Sequence, residues 1–232
     1  MKNEESQFRP LSKPSPPWPL YQAVAIGLLG AISALLALGI ISTSVRFAGL
    51  SRQLSHRRFI AVETVLECVV TIGATYSLLA VLRGPQLRGF WKSIQWNRSN
   101  SLFSICLGIG LISSVLMRYF LVGVSASGPF SINGLSSQLD IYAILSTAIL
   151  QPLIEEIYYR GILFEALSFK VGPIFSIIIV TVIFTLVHVH HQWVVLPISI
   201  VLAVTRIATR STANCFALHA AYNLGMILWG LS

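Results

Sequence analysis

Six consecutive residues, Glu155-Glu156-Ile157-Tyr158-Tyr159-Arg160, place three charged side chains inside an otherwise apolar stretch. On a helix Glu156 and Arg160 stand four apart and form an ion pair on one face. That leaves Glu155 without an intrahelical partner. Two later apolar stretches carry polar groups at the same spacing, Phe184 with His188 and His219 with Asn223. Carboxylate and imidazole groups act as general bases, and His and Asn donate hydrogen bonds to an oxyanion. Glu155, His188, His219 and Asn223 gathered around one cavity would support hydrolysis. Read singly, each has a plainer explanation. Glu156 and Arg160 brace a helix, a lone His or Asn joins two helices through a hydrogen bond, and Arg118 snorkels or pairs with an acidic residue such as Glu63 or Glu67. The argument for function rests on the combination.

Other chemistries lack their residues. A zinc protease of the HExxH type needs two His flanking a Glu on one helical turn, and no such string occurs. Asp140 is the sole aspartate, one short of an aspartyl pair, and Ser125 sits in a loop with no helix start behind it. No P-loop, GxGxxG or CxxC string is present, and Cys68, Cys106 and Cys215 lie far apart in apolar stretches.

The elements that must position these groups follow from composition. Of 232 residues, 55% are hydrophobic and 10% charged, with a mean hydropathy of +0.76. An ordinary soluble domain carries about 25% charged residues, so the natural solvent for most of this chain is lipid. The net charge of +8 comes from no basic run within a polar domain; no nucleic-acid partner is expected. Each charge at the centre of a bilayer costs about 2.5–3.5 kcal/mol. The three at 155–160 must therefore face the interior of a bundle.

The expected fold is all-α, a polytopic transmembrane helix bundle of about seven spans. The spans are Leu20 to about Val45, Phe59–Leu82, Ser101–Val124, Leu139–Phe164, Pro173–Val189, Trp193–Ile207 and Ala213–Leu231. The organisation is a polar, proline-rich tail (1–19), a membrane part of three spans with loops (20–138), and a helical core (139–232). With seven spans, Lys2, Arg9, Lys13, Arg83, Arg88, Lys92, Arg98, Lys170, Arg206 and Arg210 fall on one side. Only Arg46, Arg52, Arg57 and Arg58 fall on the other. The excess places the N-terminus in the cytoplasm of a multi-pass protein, in the cell membrane. Such spans put His188 near one membrane face and His219 about a third of the way in from the other. A tilted or broken helix is then needed to join them.

These motifs resemble those of the CAAX prenyl endopeptidase and bacteriocin-processing family of intramembrane proteases (the CPBP or Abi family). Its EExxxR motif is met by Glu155 to Arg160, followed by Gly161. Its FxxxH is met by Phe184 and His188, and its HxxxN by His219 and Asn223 after an Arg210-Ser211-Thr212 turn. The order matches too, over about residues 139 to 231.

The resemblance implies an intramembrane endopeptidase of the CAAX-box protein-processing type. In it Glu155 with His188 activates the attacking water, and His219 and Asn223 steady the oxyanion. Glu156, Arg160 and Phe184 support the site. No cofactor is expected. The alternative is zinc held by Glu155, His188 and His219 with one open position; it is disfavoured because the donors come one per helix, His188 and His191 offering the one nearby pair. The partners implied are membrane lipid and a peptide or protein substrate. Two other classes want the same buried groups: a non-catalytic scaffold or bacteriocin-immunity protein, and an ion-coupled transporter, against which the absence of duplicated halves counts.

Overall fold

The computed structural model describes residues 18–47, 65–66, 69–70, 72–73, 89–97, 100–125, 141, 144–189 and 192–230. Every regular element among them is helical. Helix α1 (Leu20–Phe47) leads to the short α2 (Phe90–Ser93) and the long α3 (Asn100–Ser125). A composite rod follows from Ile144 to Val171. It alternates a π segment (Ile144–Leu150), α4 (Gln151–Glu155), a second π segment (Glu156–Leu163) and α5 (Phe164–Val171). Helices α6 (Pro173–Val187), α7 (Gln192–Thr209) and α8 (Thr212–Gly230) complete the fold.

Two helical stretches, Ser101–Leu121 within α3 and Gln192–Thr209, are long and apolar enough to cross a membrane. The apolar stretches Leu20–Ser33 and Pro173–Val187 are shorter. Most of the expected second span lies outside the described residues, as do Glu63, Glu67, Asp140, His190 and His191. The four-residue α2 was not anticipated, because so short a turn leaves no hydropathy signal.

Gly172 closes the rod. Its φ of +82° is a conformation that side-chain-bearing residues rarely adopt, and Pro173 starts α6 at the position where proline suits a helix. The chain therefore turns back at once, and α6 runs antiparallel to the rod. Glu155 lies 17 residues before Gly172 and His188 lies 16 after it, so both reach the same depth. Helix α6 ends at Val187, one residue before His188, so that imidazole meets Glu155 from the end of a short helix. Helices α7 and α8 repeat the device around Arg210, whose φ is +50°. Ser199 and His219 thereby return to the level of Glu156 and Arg160.

Helices α3 and α8 cross closely. A Cβ built on Gly110 would lie 2.2 Å from the Leu218 carbonyl oxygen, so only glycine lets the two backbones meet, as small residues do at helix crossings in membranes. Gly110→Ala is expected to push α3 off α8 and to cost about 1–3 kcal/mol, read as a lower thermal unfolding midpoint in detergent. An unchanged midpoint would show that the crossing is looser than described.

Candidate active site

The interior of this bundle is polar where its outside is greasy. Glu156 and Arg160 have no exposed surface, and Arg206, His219 and Asn214 are nearly as deep. Meanwhile Ile174, Phe175, Ile178 and Leu186 stand on the outside of α6. Buried charges need partners, because each loses its water.

Glu156 and Arg160 pair as their spacing requires, with Arg160 Nη1 donating to Glu156 Oε1 at 3.1 Å. Arg160 Nη2 donates to Ser199 Oγ on α7 at 3.2 Å. Its guanidinium lies 4.2 Å from the centroid of the Phe184 ring, a cation–π contact made stronger by the lack of water. Phe184 supports the imidazoles as well, with ring centroids 4.7 Å from His188 and 6.0 Å from His219. Tyr159 closes on its edge at 5.1 Å.

Glu156 Oε1 also meets His219 Nδ1 at 2.9 Å. That oxygen already accepts from a guanidinium, so Nδ1 carries the proton. His188 Nδ1 lies 2.7 Å from the Phe184 carbonyl oxygen, which can only accept. Both rings therefore spend Nδ1–H on the protein and turn Nε2 toward Glu155. The gaps are 3.8 Å from His188 Nε2 to Glu155 Oε1 and 3.9 Å from His219 Nε2 to Glu155 Oε2. Both are too long for direct hydrogen bonds and suit a bridging water. The Glu155 side chain retains 16% of its accessible surface and that of His188 25%, whereas that of Glu156 has none. Of two adjacent carboxylates, Glu155 alone is reachable by a substrate.

The structure thus brings together Glu155, His188 and His219, one from each of three elements, over a floor of Glu156, Arg160 and Phe184. Asn223 is placed differently: its Nδ2 donates to the Thr147 carbonyl at 2.9 Å, one turn beyond His219 along α8. That bond ties α8 to the first π segment, the helix-joining role considered from sequence. His219, grouped with Asn223 in the sequence reading, sits here between the two glutamates.

The trio was also weighed as zinc ligands. Bonds of about 2.0–2.1 Å in a tetrahedral site put neighbouring donors roughly 3.3 Å apart, less than either gap. Among the described residues no group of three His, Cys, Asp or Glu side chains is placed to hold a metal ion. His191 lies outside the described residues.

Sequence reasoning passed over Ser199, Gln95, Glu165 and the depth of Arg206. Counted as a loop charge, Arg206 is 2% exposed and pairs with Glu165. An acidic residue just past one apolar run and an arginine near the end of another were the available signals.

Comparison with known families agrees with this part of the chain. Residues 137–225 match the family model described as type II CAAX prenyl endopeptidase Rce1-like. This region carries an Rce1-like domain. The match takes in Glu155, Glu156, Arg160, Phe184, His188, His219 and Asn223. No curated protein and no solved structure matches the chain.

Arg160→Ala would leave Glu156 sealed from water without its cation. We expect a loss of about 3–5 kcal/mol, measured by reversible unfolding in mixed micelles. A variant as stable as wild type would mean that the pair is solvated.

Proposed function

We propose that the protein is an intramembrane endopeptidase of the CAAX-processing type, a multi-pass protein of about seven spans with its N-terminus in the cytoplasm. The observation that carries the reading is the placement of Glu155. It is a partly accessible carboxylate with two imidazole Nε2 atoms 3.8 and 3.9 Å away, inside the region that matches a peptidase family. The apolar outer faces support the membrane setting, because exposed patches of this extent mark contact with lipid or protein.

In the proposed mechanism a water sits between Glu155 and the two Nε2 atoms. Glu155 with His188 takes its proton as it attacks the peptide carbonyl. The developing oxyanion needs a donor. His219, with Nδ1–H held by Glu156, offers one through Nε2 when that atom carries a proton. Asn223 gives one amide hydrogen to Thr147 and keeps the second for the oxyanion. Return of the proton to the leaving amine completes hydrolysis. The substrate is a peptide or protein presented at the membrane, and no metal takes part.

Purified protein in detergent, incubated with a C-terminal CAAX-type peptide in prenylated and unmodified forms, tests this. Wild type should cleave, and Glu155→Gln should lose at least about 100-fold in kcat with an unchanged unfolding midpoint. Equal rates in the two proteins would remove Glu155 from the chemistry. Equal inactivity toward both peptides, with phenotypes that ignore Glu155→Gln, would favour the scaffold or immunity reading. Preference for one peptide reports whether a prenyl group is read.

Metal-free catalysis makes its own prediction. Dialysis against a strong zinc chelator should leave the cleavage rate unchanged. Loss of activity that returns with added zinc would replace this mechanism with a metal-dependent one.

A further inference from the structure

Among the described residues Arg206 is the second fully enclosed arginine beside Arg160, and nothing in the hydrolytic scheme uses it. It sits on α7 with 2% of its surface exposed. Its three donor groups go to three acceptors. Nε donates to the backbone carbonyl of Arg160 at 3.0 Å, Nη1 to Gln95 Oε1 at 3.3 Å, and Nη2 to Glu165. Its guanidinium also lies 4.7 Å from the centroid of the Phe164 ring. Arg160 lies within the second π segment and Glu165 just past its end, at the second residue of α5. Arg206 therefore spans the junction where the rod changes from π to α.

We propose that Arg206 is a positioning residue for the hydrolytic site. It fixes the backbone from which the Arg160 side chain departs. Arg160 in turn holds Glu156 Oε1, Glu156 holds His219 Nδ1, and His219 Nε2 faces Glu155. Each link is a hydrogen bond or a contact under 4 Å, and every member before Glu155 is sealed from solvent. A guanidinium suits this place because its rigid planar fork aims separate N–H groups at a carbonyl and a carboxylate, whereas an ammonium is a single point of charge on a flexible stem. The Gln95 bond extends the clamp to the segment after α2, whose backbone carbonyls at Ile94 and Gln95 accept from Thr212 at the start of α8. One side chain thus sets the register of the rod, α7 and the helix that carries His219.

The activity part of the test rests on the peptidase reading, so a second readout is independent of turnover. The proteins are wild type, Arg206→Lys and the double variant Arg206→Met/Glu165→Met. The double variant removes both buried charges together, a change that is often neutral or stabilising, yet still deletes the bond to Arg160. We expect its unfolding midpoint to stay near that of wild type while kcat falls about ten- to hundred-fold with KM little changed. Arg206→Lys keeps the charge opposite Glu165 and should show the same loss in kcat. In spectra of 15N-histidine-labelled protein, the His219 Nδ1–H proton should be shifted or broadened in both variants.

Wild-type kcat in a stably folded double variant would reduce Arg206 to a partner for Glu165 and overturn the proposal. If the double variant does not fold, wild-type kcat in Arg206→Lys overturns it equally. A wild type no more active than Glu155→Gln would sink the peptidase reading alone. The His219 resonance then decides the positioning role, and an unchanged signal in both variants refutes it.

Discussion

One oxygen atom organises this molecule. Glu156 Oε1 accepts from Arg160 at 3.1 Å and from His219 at 2.9 Å, in a place with no exposed surface. A carboxylate there is strongly unfavourable unless its charge is met, and the two donors that meet it come from different helices. The pair within the rod fixes which face of the rod turns inward, and the bond to α8 fixes where along the rod His219 must lie. Ser199 and the face of Phe184 also meet the Arg160 guanidinium, adding α7 and α6 to the same layer. Glu155 is left one residue away, pointing to the one side of the rod where something remains open. A structural carboxylate and an accessible one can thus be neighbours in sequence, because the first is tied to Arg160 and His219 on a sealed face.

Chain length brings His188 to the depth of Glu155. Gly172 turns the chain with no loop to speak of, and α6 stops 15 residues later, which leaves His188 beside Glu155. The π segments contribute at right angles to this. Their i→i+5 bonding spreads each turn over more residues, so successive side chains diverge less than on an α-helix. The second segment begins at Glu156, which lets two consecutive carboxylates both lie toward the interior. Such segments recur at functional sites for reasons of this kind.

The motif spacings were legible because they are local. Four residues make one helical turn, so Glu156 with Arg160 and Phe184 with His188 could be paired from sequence alone. Contacts between helices were not legible in the same way. His219 has Asn223 one turn away in sequence, but its strongest bond goes to Glu156, 63 residues earlier, and no spacing rule reports that. Arg206 was read as a loop charge because an arginine near the end of an apolar run ordinarily snorkels to water. Here Glu165 and Gln95 offer it partners inside, and both depend on the register of other elements. The all-helical class followed from composition, since lipid leaves open sheet edges unsatisfied. The π geometry did not, because a few residues of sequence hold too little periodicity to separate i→i+5 from i→i+4 bonding.

The hydrogen bonds also constrain what the open side of the site can contain. With Nδ1–H committed on both imidazoles, a neutral His188 and a neutral His219 would each aim a bare lone pair at a Glu155 oxygen. Three acceptors facing one another repel, and the 3.8 and 3.9 Å gaps are what such an arrangement tolerates when hydrogen lies between. Water donating both of its hydrogens would satisfy them, and in the proposed hydrolysis that water already stands where it attacks. Preorganisation of this kind is where buried catalytic sites gain most, since a fixed field costs nothing to reorient at the moment of reaction. The Nδ1 hydrogen bonds to Phe184 and Glu156 hold the two rings in that orientation.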